Sequence, residues 1–258
     1  MEFIKEYWES QGRSHGDTHW ASWGDHFAIS LEIDTIGRYI KPANKVLDVG
    51  CANGFSTLRQ FELQPDASFT GVDYAEAMIA HANRSKAERN LADDQVRFQV
   101  ASILDLPFDS GLYDVVYTTR VLINLPTWEQ QLQAIGECLR VVKAGGKLIL
   151  SEAFWEPFCR LNGIRLLLDL PPLVEHDFNR YLKKERLDAW LAQQRLTFEV
   201  HEFSSIYYLG SRCLREYFEG SDIMQSTYDL PLNKNFYDLE KQYSAKGLSV
   251  QQAYVISR

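Results

Sequence analysis

The segment Val46-Leu-Asp-Val-Gly-Cys-Ala-Asn-Gly54 decides the fold. An apolar run is followed by a glycine-containing turn, and a helical pattern begins at Phe55. Glycine and alanine let a ligand approach the main chain closely, and glycine also tolerates left-handed backbone angles. Open parallel sheets bind ligands at the carboxyl ends of their strands, where a helix N-terminus offers free N–H groups. The spacing Asp48-x-Gly50-x-Ala52-x-Gly54 is neither Gly-x-Gly-x-x-Gly nor a P-loop, because no Lys-Ser/Thr pair follows.

Short apolar runs alternate with helical patterns around this motif. The predicted strands are 45–49, 68–72, 96–100, 113–117, 147–151, 197–206 and 250–256, and the predicted helices are 55–61, 75–89, 128–142 and 183–194. Strands alternating with helices predict a parallel sheet that is covered on both faces, with right-handed crossovers. The expected fold class is therefore α/β, with a doubly wound, mostly parallel seven-stranded sheet, helices on both faces and an α-helical cap.

Four segments in order resemble the class I S-adenosylmethionine-dependent methyltransferases. They are the first motif at 46–54, Gly71-Val-Asp73-Tyr74, Ala101-Ser-Ile-Leu-Asp-Leu-Pro-Phe108, and Leu139-Arg-Val-Val-Lys-Ala-Gly-Gly-Lys-Leu-Ile-Leu150. The resemblance covers roughly residues 45 to 152. The sequence departs from the family pattern at Ala52, where the family has its middle glycine, and at Ala144, where it usually has proline. Ser102 stands where the family has an acid for the adenine amino group, which would weaken that contact or move it to Asp105.

The resemblance implies a Rossmann-like sheet and a methyltransferase that uses S-adenosyl-L-methionine and releases S-adenosyl-L-homocysteine. Asp73 would accept hydrogen bonds from the ribose hydroxyls, and a side chain at Gly50 would enter the space of the methionine moiety. The predicted cofactor-binding residues are Asp48, Gly50, Cys51, Ala52, Asn53, Gly54, Asp73, Tyr74, Met78, Ser102, Ile103, Thr119 and Arg120.

The two ends of the chain do not follow the repeating pattern. We expect a helical lid segment over residues 1–42, an S-adenosylmethionine-binding core over 43–152 and a cap insertion over 153–182. Residues 183–258 would complete the core and carry a second insertion at about 207–249. Both insertions and the lid would close over the ligand edge of the sheet.

Methyl transfer from a sulfonium is an in-line displacement, so the protein mainly positions the acceptor and excludes water. A base is needed only if the acceptor keeps its proton at neutral pH. We predict His176 as that base, since the pKa of an unperturbed histidine suits proton removal near neutrality. Glu152 is a second catalytic candidate. Both residues also have a structural interpretation, because a lone histidine or a strand-end acid is often part of the packing.

Acceptor-side candidates follow the fourth strand and occupy the cap. The predicted substrate-binding residues are Trp20, Asn124, Asn162, Arg165, His176, Asn179, Tyr207 and Arg212. Arg120 would hold an anionic acceptor or serve in packing. His15 and His19 would share one helix face, but no acidic partner is placed to complete a metal site, so no metal is expected.

Charge and composition narrow the remaining alternatives. The formal net charge of −8 argues against a nucleic-acid substrate, since such enzymes usually carry a basic face. No apolar run is long enough for a membrane span, residues 1–10 lack a signal-peptide core, and the four cysteines form no Cys-x-x-Cys pair. We expect a cytoplasmic monomer or homodimer that acts on a small molecule, by O- or N-methylation of a sugar, metabolite or natural-product intermediate. The alternatives are a methyltransferase of RNA or protein, a nicotinamide-dependent oxidoreductase and a non-catalytic nucleotide-binding protein.

Overall fold

The computed structural model describes residues 2–220 and 228–258. Part of the predicted insertion at 207–249, residues 221–227, lies outside the described residues. Within the described part of the chain, no helix has both the length and the apolar character that crossing a membrane requires.

Seven strands form one sheet in the order β3-β2-β1-β4-β5-β7-β6. The strands are β1 (Lys45–Val49), β2 (Ser68–Asp73), β3 (Val96–Val100), β4 (Tyr113–Thr119), β5 (Val142–Ala153), β6 (Thr197–Glu202) and β7 (Gln251–Ser257). All neighbours pair in parallel except β7, which runs antiparallel to both β5 and β6. The order reverses between β1 and β4, which is where such sheets bind ligands. The predicted doubly wound α/β class is confirmed.

Ten α-helices are described. They are α1 (Glu2–His15), α2 (His26–Gly37), α3 (Phe55–Leu63), α4 (Glu76–Glu88), α5 (Trp128–Val141), α6 (Trp155–Leu167), α7 (Lys184–Gln193), α8 (Ser205–Leu209), α9 (Arg215–Glu219) and α10 (Pro231–Gln242). A π-helical turn, Gly210–Leu214, joins α8 to α9. The prediction of a strand up to residue 206 is wrong at its end, because β6 stops at Glu202 and α8 begins three residues later.

The core follows from strands that are buried on both faces. Val46, Leu47 and Val49 in β1 are almost completely buried, as expected for a central parallel strand between two helical layers. The amphipathic helix α5 buries Ala134 and Ile135, among others, against one face of the sheet. This packing holds the carboxyl ends of β1, β2 and β4 at one edge, and the turns that follow them meet there.

The N-terminal segment is anchored to the core by hydrogen bonds. The Glu9 carboxylate accepts hydrogen bonds from the backbone N–H groups of Glu76 and Ala77, at 2.6 and 3.0 Å, and so caps the first turn of α4. A carboxylate at a helix N-terminus is favourable because it meets unpaired N–H groups and the positive end of the helix dipole. The helix α1 therefore lies beside the first motif.

The cap is only partly helical. In the predicted insertion 153–182, α6 is followed by an irregular segment that continues to the start of α7. The helix α6 ends where Asp169 adopts a left-handed φ of 54° and the Leu170 N–H donates to the Arg165 carbonyl at 2.9 Å, and Pro171-Pro172 prevents the helix from resuming. α2, α8 and α10 pack together beside the sheet edge, and a hydrogen bond of 2.9 Å joins Ser30 Oγ and Tyr237 Oη.

Candidate functional site

A cavity of about 290 Å³ opens at the carboxyl ends of β1 and β2. Its floor is the turn after β1, in which Gly50, Ala52 and Gly54 all have positive φ angles, of 80°, 47° and 76°. The backbone N–H groups of Gly50 and Cys51 donate to the Val72 carbonyl, at 2.7 and 2.9 Å, and fold the turn onto β2. The first motif thus forms a rigid backbone cradle.

Asp48 lies at the bottom of this cavity, and its two carboxylate oxygens differ in their hydrogen bonding. Its Oδ2 accepts hydrogen bonds from Thr57 Oγ1 at 2.6 Å and from Tyr117 Oη at 2.9 Å. Its Oδ1 is buried and has no hydrogen-bond partner within the described part of the chain. Burial raises the pKa of Asp48 to about 7, against the opposing effect of the two hydrogen bonds. A buried carboxylate oxygen without a donor is costly unless a ligand supplies one.

Asp73, at the end of β2, forms part of the same wall. Its two oxygens accept hydrogen bonds from the backbone N–H groups of Ala52, at 3.0 Å, and Ala75, at 2.9 Å. Burial raises the pKa of Asp73 to about 6, although these backbone donors favour the ionised form. Each carboxylate oxygen carries a second lone pair, so the side chain still offers acceptors to a ligand.

The glycines of the motif serve packing more than the sequence suggests. A Cβ at Gly50 would lie 2.2 Å from Val121 Cγ2, and Val121 also lines the cavity, so a side chain there would first collide with the cavity wall. A Cβ at Gly54 would lie 2.7 Å from the Phe98 ring. Both positions also need a positive φ, which side chains other than glycine rarely adopt. Gly54 does not line the cavity.

The opposite wall comes from the segment after β3. Ala101, Ile103 and Leu104 give it an apolar surface, and Tyr74 closes one side. The Ser102 hydroxyl accepts a hydrogen bond from the backbone N–H of Leu104 at 3.2 Å. The alternative position for an acid, Asp105, does not line the cavity, so this wall recognises its ligand mainly by shape.

A second cavity, of about 490 Å³, lies under the cap. Trp8, Ser22, Arg120 and Asn124 line both cavities and therefore mark the boundary between them. The walls of the second cavity are largely aromatic, with Tyr7, Trp23, Phe158, Phe178, Tyr181, Tyr208 and Tyr228. Two adjoining cavities of this kind can hold two ligands with their reacting atoms in contact at the boundary.

Two ion pairs border the second cavity. Arg120 pairs with Glu32, and its guanidinium carbon lies 4.8 Å from the centre of the Trp23 ring. Arg212 pairs with Asp25, whose other oxygen accepts a hydrogen bond from Tyr207 Oη at 2.7 Å. Glu32 and Asp25 are almost completely buried. Buried carboxylates need such partners, because an unpaired buried charge is strongly destabilising.

Comparison with known proteins decides the family. A family model described as a methyltransferase domain matches residues 46–146. A ubiquinone biosynthesis O-methyltransferase of Pseudomonas aeruginosa is 32% identical over 168 residues, which cover 64% of this chain and 68% of that relative. The chain belongs to the S-adenosylmethionine-dependent methyltransferase family. It is therefore an enzyme that uses S-adenosylmethionine, and the nicotinamide-dependent and non-catalytic alternatives fall away.

Solved structures agree with the fold. A geranyl diphosphate C-methyltransferase from Streptomyces coelicolor A3(2) superposes with a TM-score of 0.58 and 18% identity, covering 90% of this chain and 79% of that one. A methyltransferase in complex with the Trm112 activator of Haloferax volcanii gives a TM-score of 0.61 and 13% identity, covering 97% and 96%. At these identities the likeness extends to the fold alone.

The enzyme places most predicted cofactor residues together. All of them line the first cavity except Gly54 and Met78. Met78 is fully buried with Ala21 and Ala75. Asn53 borders the cavity, but its amide donates to the Gly16 and Thr18 carbonyls, at 2.9 and 2.7 Å, and anchors the N-terminal segment to the motif.

Glu152 lines neither cavity. Its carboxylate accepts hydrogen bonds from Thr118 Oγ1 at 2.7 Å and from the backbone N–H groups of Val121, Leu122 and Ile123 at 3.1 to 3.4 Å. Burial raises the pKa of Glu152 to about 7. These contacts fix the turn after β4, so the prediction of a catalytic Glu152 is replaced by a structural role.

Among the predicted acceptor residues, Asn124, His176, Asn179 and Arg212 line the second cavity. Trp20, Asn162, Arg165 and Tyr207 line neither cavity. The Asn162 amide binds both backbone groups of Leu173, and Arg165 donates to the Pro171 carbonyl at 2.7 Å and to Glu216 at 2.8 Å. These side chains hold the cap in place instead of facing its ligand.

Tyr207 and Trp20 hold the N-terminal segment from outside the two cavities. Tyr207 is fully buried and holds Asp25, while the Trp20 ring packs against Gly24. The expectation that His15 and His19 share a helix face is wrong, because Gly16, with a φ of 55°, separates α1 from the next helical turn. The described residues hold no cluster of side chains suited to a metal ion.

Several lining residues were missed by the sequence analysis. Ile4 and Trp8 are four residues apart and share the face of α1 that meets the first cavity. The available signal was their helical spacing in a segment that also carries many charged and polar residues. Glu32 was also missed, although an acid inside the apolar run of α2 indicates a buried partner.

Proposed function

We propose that this enzyme transfers the methyl group of S-adenosylmethionine, held in the first cavity, to a small molecule held in the second. The observation that carries the proposal is the shared boundary of Trp8, Ser22, Arg120 and Asn124. Methyl transfer needs donor and acceptor atoms in line and in near contact, and a common boundary between two cavities supplies that arrangement.

The residues of the first cavity fit the cofactor. Asp48 Oδ1 lacks a donor within the described residues, and the amino group of the methionine part would supply one. Asp73 would accept hydrogen bonds from the ribose hydroxyls, and the apolar segment from Ala101 to Leu104 would contact the adenine. When bound, S-adenosylmethionine supplies a methyl group already activated on a sulfonium. The protein is left to orient the acceptor and to exclude water.

The second cavity suits a small acceptor with a planar or apolar body. The cap encloses it, and its walls combine aromatic rings with a few polar groups, as small-molecule sites usually do. A relative that is named for ubiquinone biosynthesis supports this class. A nucleic acid is disfavoured by the net charge of −8. We place the enzyme in the cytoplasm, because its four cysteines are free and free thiols are typical of that compartment. We expect it to be a monomer or a homodimer.

His176 remains our proposal for a base. It lines the second cavity, with its ring centre 4.2 Å from that of Phe178 and 5.6 Å from that of Tyr7. If the acceptor keeps its proton, His176→Ala should lower kcat at least about tenfold and leave the affinity for S-adenosylhomocysteine unchanged. Full turnover in that variant would remove His176 as the base without touching the methyltransferase assignment.

Titration with S-adenosylhomocysteine tests the cofactor site directly. Asp73→Ala should lower the affinity roughly ten- to a hundredfold in calorimetry, because hydrogen bonds to a charged group are lost. Asp94→Ala is the matched control, since it removes a carboxylate from an exposed turn. Wild-type protein that binds no S-adenosylhomocysteine would refute the proposed function, and equal affinity in both variants would refute the role of Asp73.

A further inference from the structure

The second cavity is lined by two guanidinium groups and, among its described lining residues, by no carboxylate. Arg120 lies at the boundary with the first cavity. The guanidinium carbon of Arg212 lies 5.2 Å from the centre of the Tyr208 ring and 4.8 Å from that of the Tyr228 ring. The electrostatic effects of both arginines reach the Tyr208 hydroxyl, together with the opposing effect of Asp25. The two cations therefore act on the same part of the cavity.

The two carboxylates that pair with these arginines are buried behind the wall of the second cavity. The side chains of Glu32 and Asp25 are 1% and 0% exposed, whereas those of Arg120 and Arg212 are 15% and 12% exposed. A ligand in the cavity would meet the cations and not the acids. The acids hold each guanidinium in one orientation, so a ligand finds donors that are already ordered.

The Arg120 guanidinium keeps N–H donors beyond the one that pairs with Glu32. Arginine carries five N–H groups in a planar fork. In the described residues, the Arg120 side chain donates to Glu32 alone, whereas that of Arg212 donates to Asp25 and Ser211 Oγ and also interacts with the Tyr207 hydroxyl. None of the remaining nitrogens of these two side chains is fully buried without a partner. A free fork of this kind matches a carboxylate or phosphate.

Backbone strain at Arg120 is a second observation. Arg120 has a φ of 58°, which costs a residue with a side chain on the order of 1–2 kcal/mol. Its N–H donates to the Ser151 carbonyl at 2.8 Å, which fixes this conformation. Strain of this kind gathers at ligand-binding sites, and here it aims the arginine at the boundary between the cavities.

We propose that the acceptor carries an anionic group, a carboxylate or a phosphate, which binds to Arg120 and Arg212 while an aromatic or apolar body packs against the surrounding rings. The inference rests on the proposed function, because it names the substrate class of the same cavity. Asp25 and Glu32 are positioning residues in this arrangement. The competing interpretation is that both ion pairs only hold together the segments around the cavity. In that case the affinity of the acceptor cavity would not depend on the charge of the ligand.

Matched probes separate the two interpretations. Naphthalene-2-carboxylate, 2-naphthyl phosphate and the neutral naphthalene-2-carboxamide would be titrated into the wild-type enzyme saturated with S-adenosylhomocysteine. At least one anionic probe should bind about tenfold or more tightly than the carboxamide. The ratio of carboxylate to phosphate affinity identifies which anion the site prefers. This comparison needs no variant.

Variants assign the preference to the arginine. Removing Arg212 alone would leave Asp25 buried and unpaired, so the double variant Asp25→Asn/Arg212→Gln removes both charges together. It should reduce the anion preference at least fivefold and leave the affinity for S-adenosylhomocysteine unchanged. Arg212→Lys keeps the charge and should retain part of the preference. The control is Asp114→Asn/Lys143→Gln, an ion pair at the opposite end of β4, which should leave the preference intact.

Three outcomes would overturn the inference: equal binding of the anionic probes and the carboxamide, no binding of any anionic probe at about 10 mM, or a preference that survives in the double variant. Each can occur while S-adenosylhomocysteine binds normally, which leaves the proposed function standing. Failure of S-adenosylhomocysteine itself to bind would instead overturn the proposed function.

Discussion

The residues that form the core around the cofactor and those that border the acceptor cavity differ in how far apart their partners lie along the chain. In the core, Asp48 accepts hydrogen bonds from Thr57, nine residues away, and from Tyr117, 69 residues away. Around the acceptor cavity, Asp25 meets Arg212, 187 residues away, and Glu32 meets Arg120, 88 residues away. The core thus presents a local pattern that binds the cofactor, whereas the acceptor cavity exists only when distant segments come together.

The largest expected effect comes from a substitution in the first motif of the core. Gly50→Val places a branched side chain at a positive φ and against Val121, which should lower the free energy of unfolding by about 2–6 kcal/mol. Binding of S-adenosylhomocysteine should be lost in calorimetry. Gly136→Ala in α5 is the control, because a Cβ there meets nothing within 4 Å. A Gly50→Val protein that folds and binds normally would contradict the cradle described for the first motif.

The carboxylates of the core should make binding depend on pH. The pKa values of Asp48 and Asp73 are raised by burial to about 7 and 6, so both carboxylates ionise in the folded protein only as the pH rises through this window. Their contribution to the stability of the ligand-free protein is present at low pH and decreases as pH rises through 6 to 7. Affinity for S-adenosylhomocysteine should change oppositely, weakening by up to about tenfold per pH unit between pH 7 and 6, where Asp48 becomes protonated, and more steeply below pH 6, where Asp73 becomes protonated as well.

Calorimetry from pH 5.5 to 8.5 measures this dependence. Asp48→Asn removes the group that titrates near pH 7, so the dependence of affinity on pH should flatten around pH 7. The variant should also bind S-adenosylhomocysteine more weakly than the wild type at high pH. An unchanged slope in that variant would mean that Asp48 does not titrate in the binding reaction.

Hydrogen exchange compares the two regions directly. If the lid and cap close over the cofactor, exchange in residues 1 to 40 and 153 to 181 should slow on binding S-adenosylhomocysteine, and more than in α5. Asn53→Ala removes the anchors to Gly16 and Thr18 and should speed exchange around these residues in the ligand-free protein. Identical exchange in both segments with and without ligand would exclude closure.

The smallest expected effect concerns a strained alanine. Ala52 has a φ of 47°, so Ala52→Gly should relieve about 1 kcal/mol of strain, partly offset by the greater flexibility of glycine when unfolded. We expect a gain of roughly 0–1 kcal/mol in urea unfolding and unchanged or slightly tighter cofactor binding. Ala43→Gly, at a φ of 62° outside both cavities, should gain similar stability with no effect on binding. Weaker binding in Ala52→Gly alone would show that the methyl group contacts the ligand.

The α/β sheet, the position of the cofactor cavity and about half of its lining residues could be predicted from the sequence alone. This was possible because these features depend on local periodicity and on turns that follow directly after strands. Tertiary structure decided which polar side chains face a ligand: Glu152, Asn162, Arg165 and Tyr207 turned out to hold the framework, although their residue types suit a binding site. A buried polar group is satisfied by whatever folding brings near, and neither Asp25 nor Arg212 indicates its partner in the linear chain.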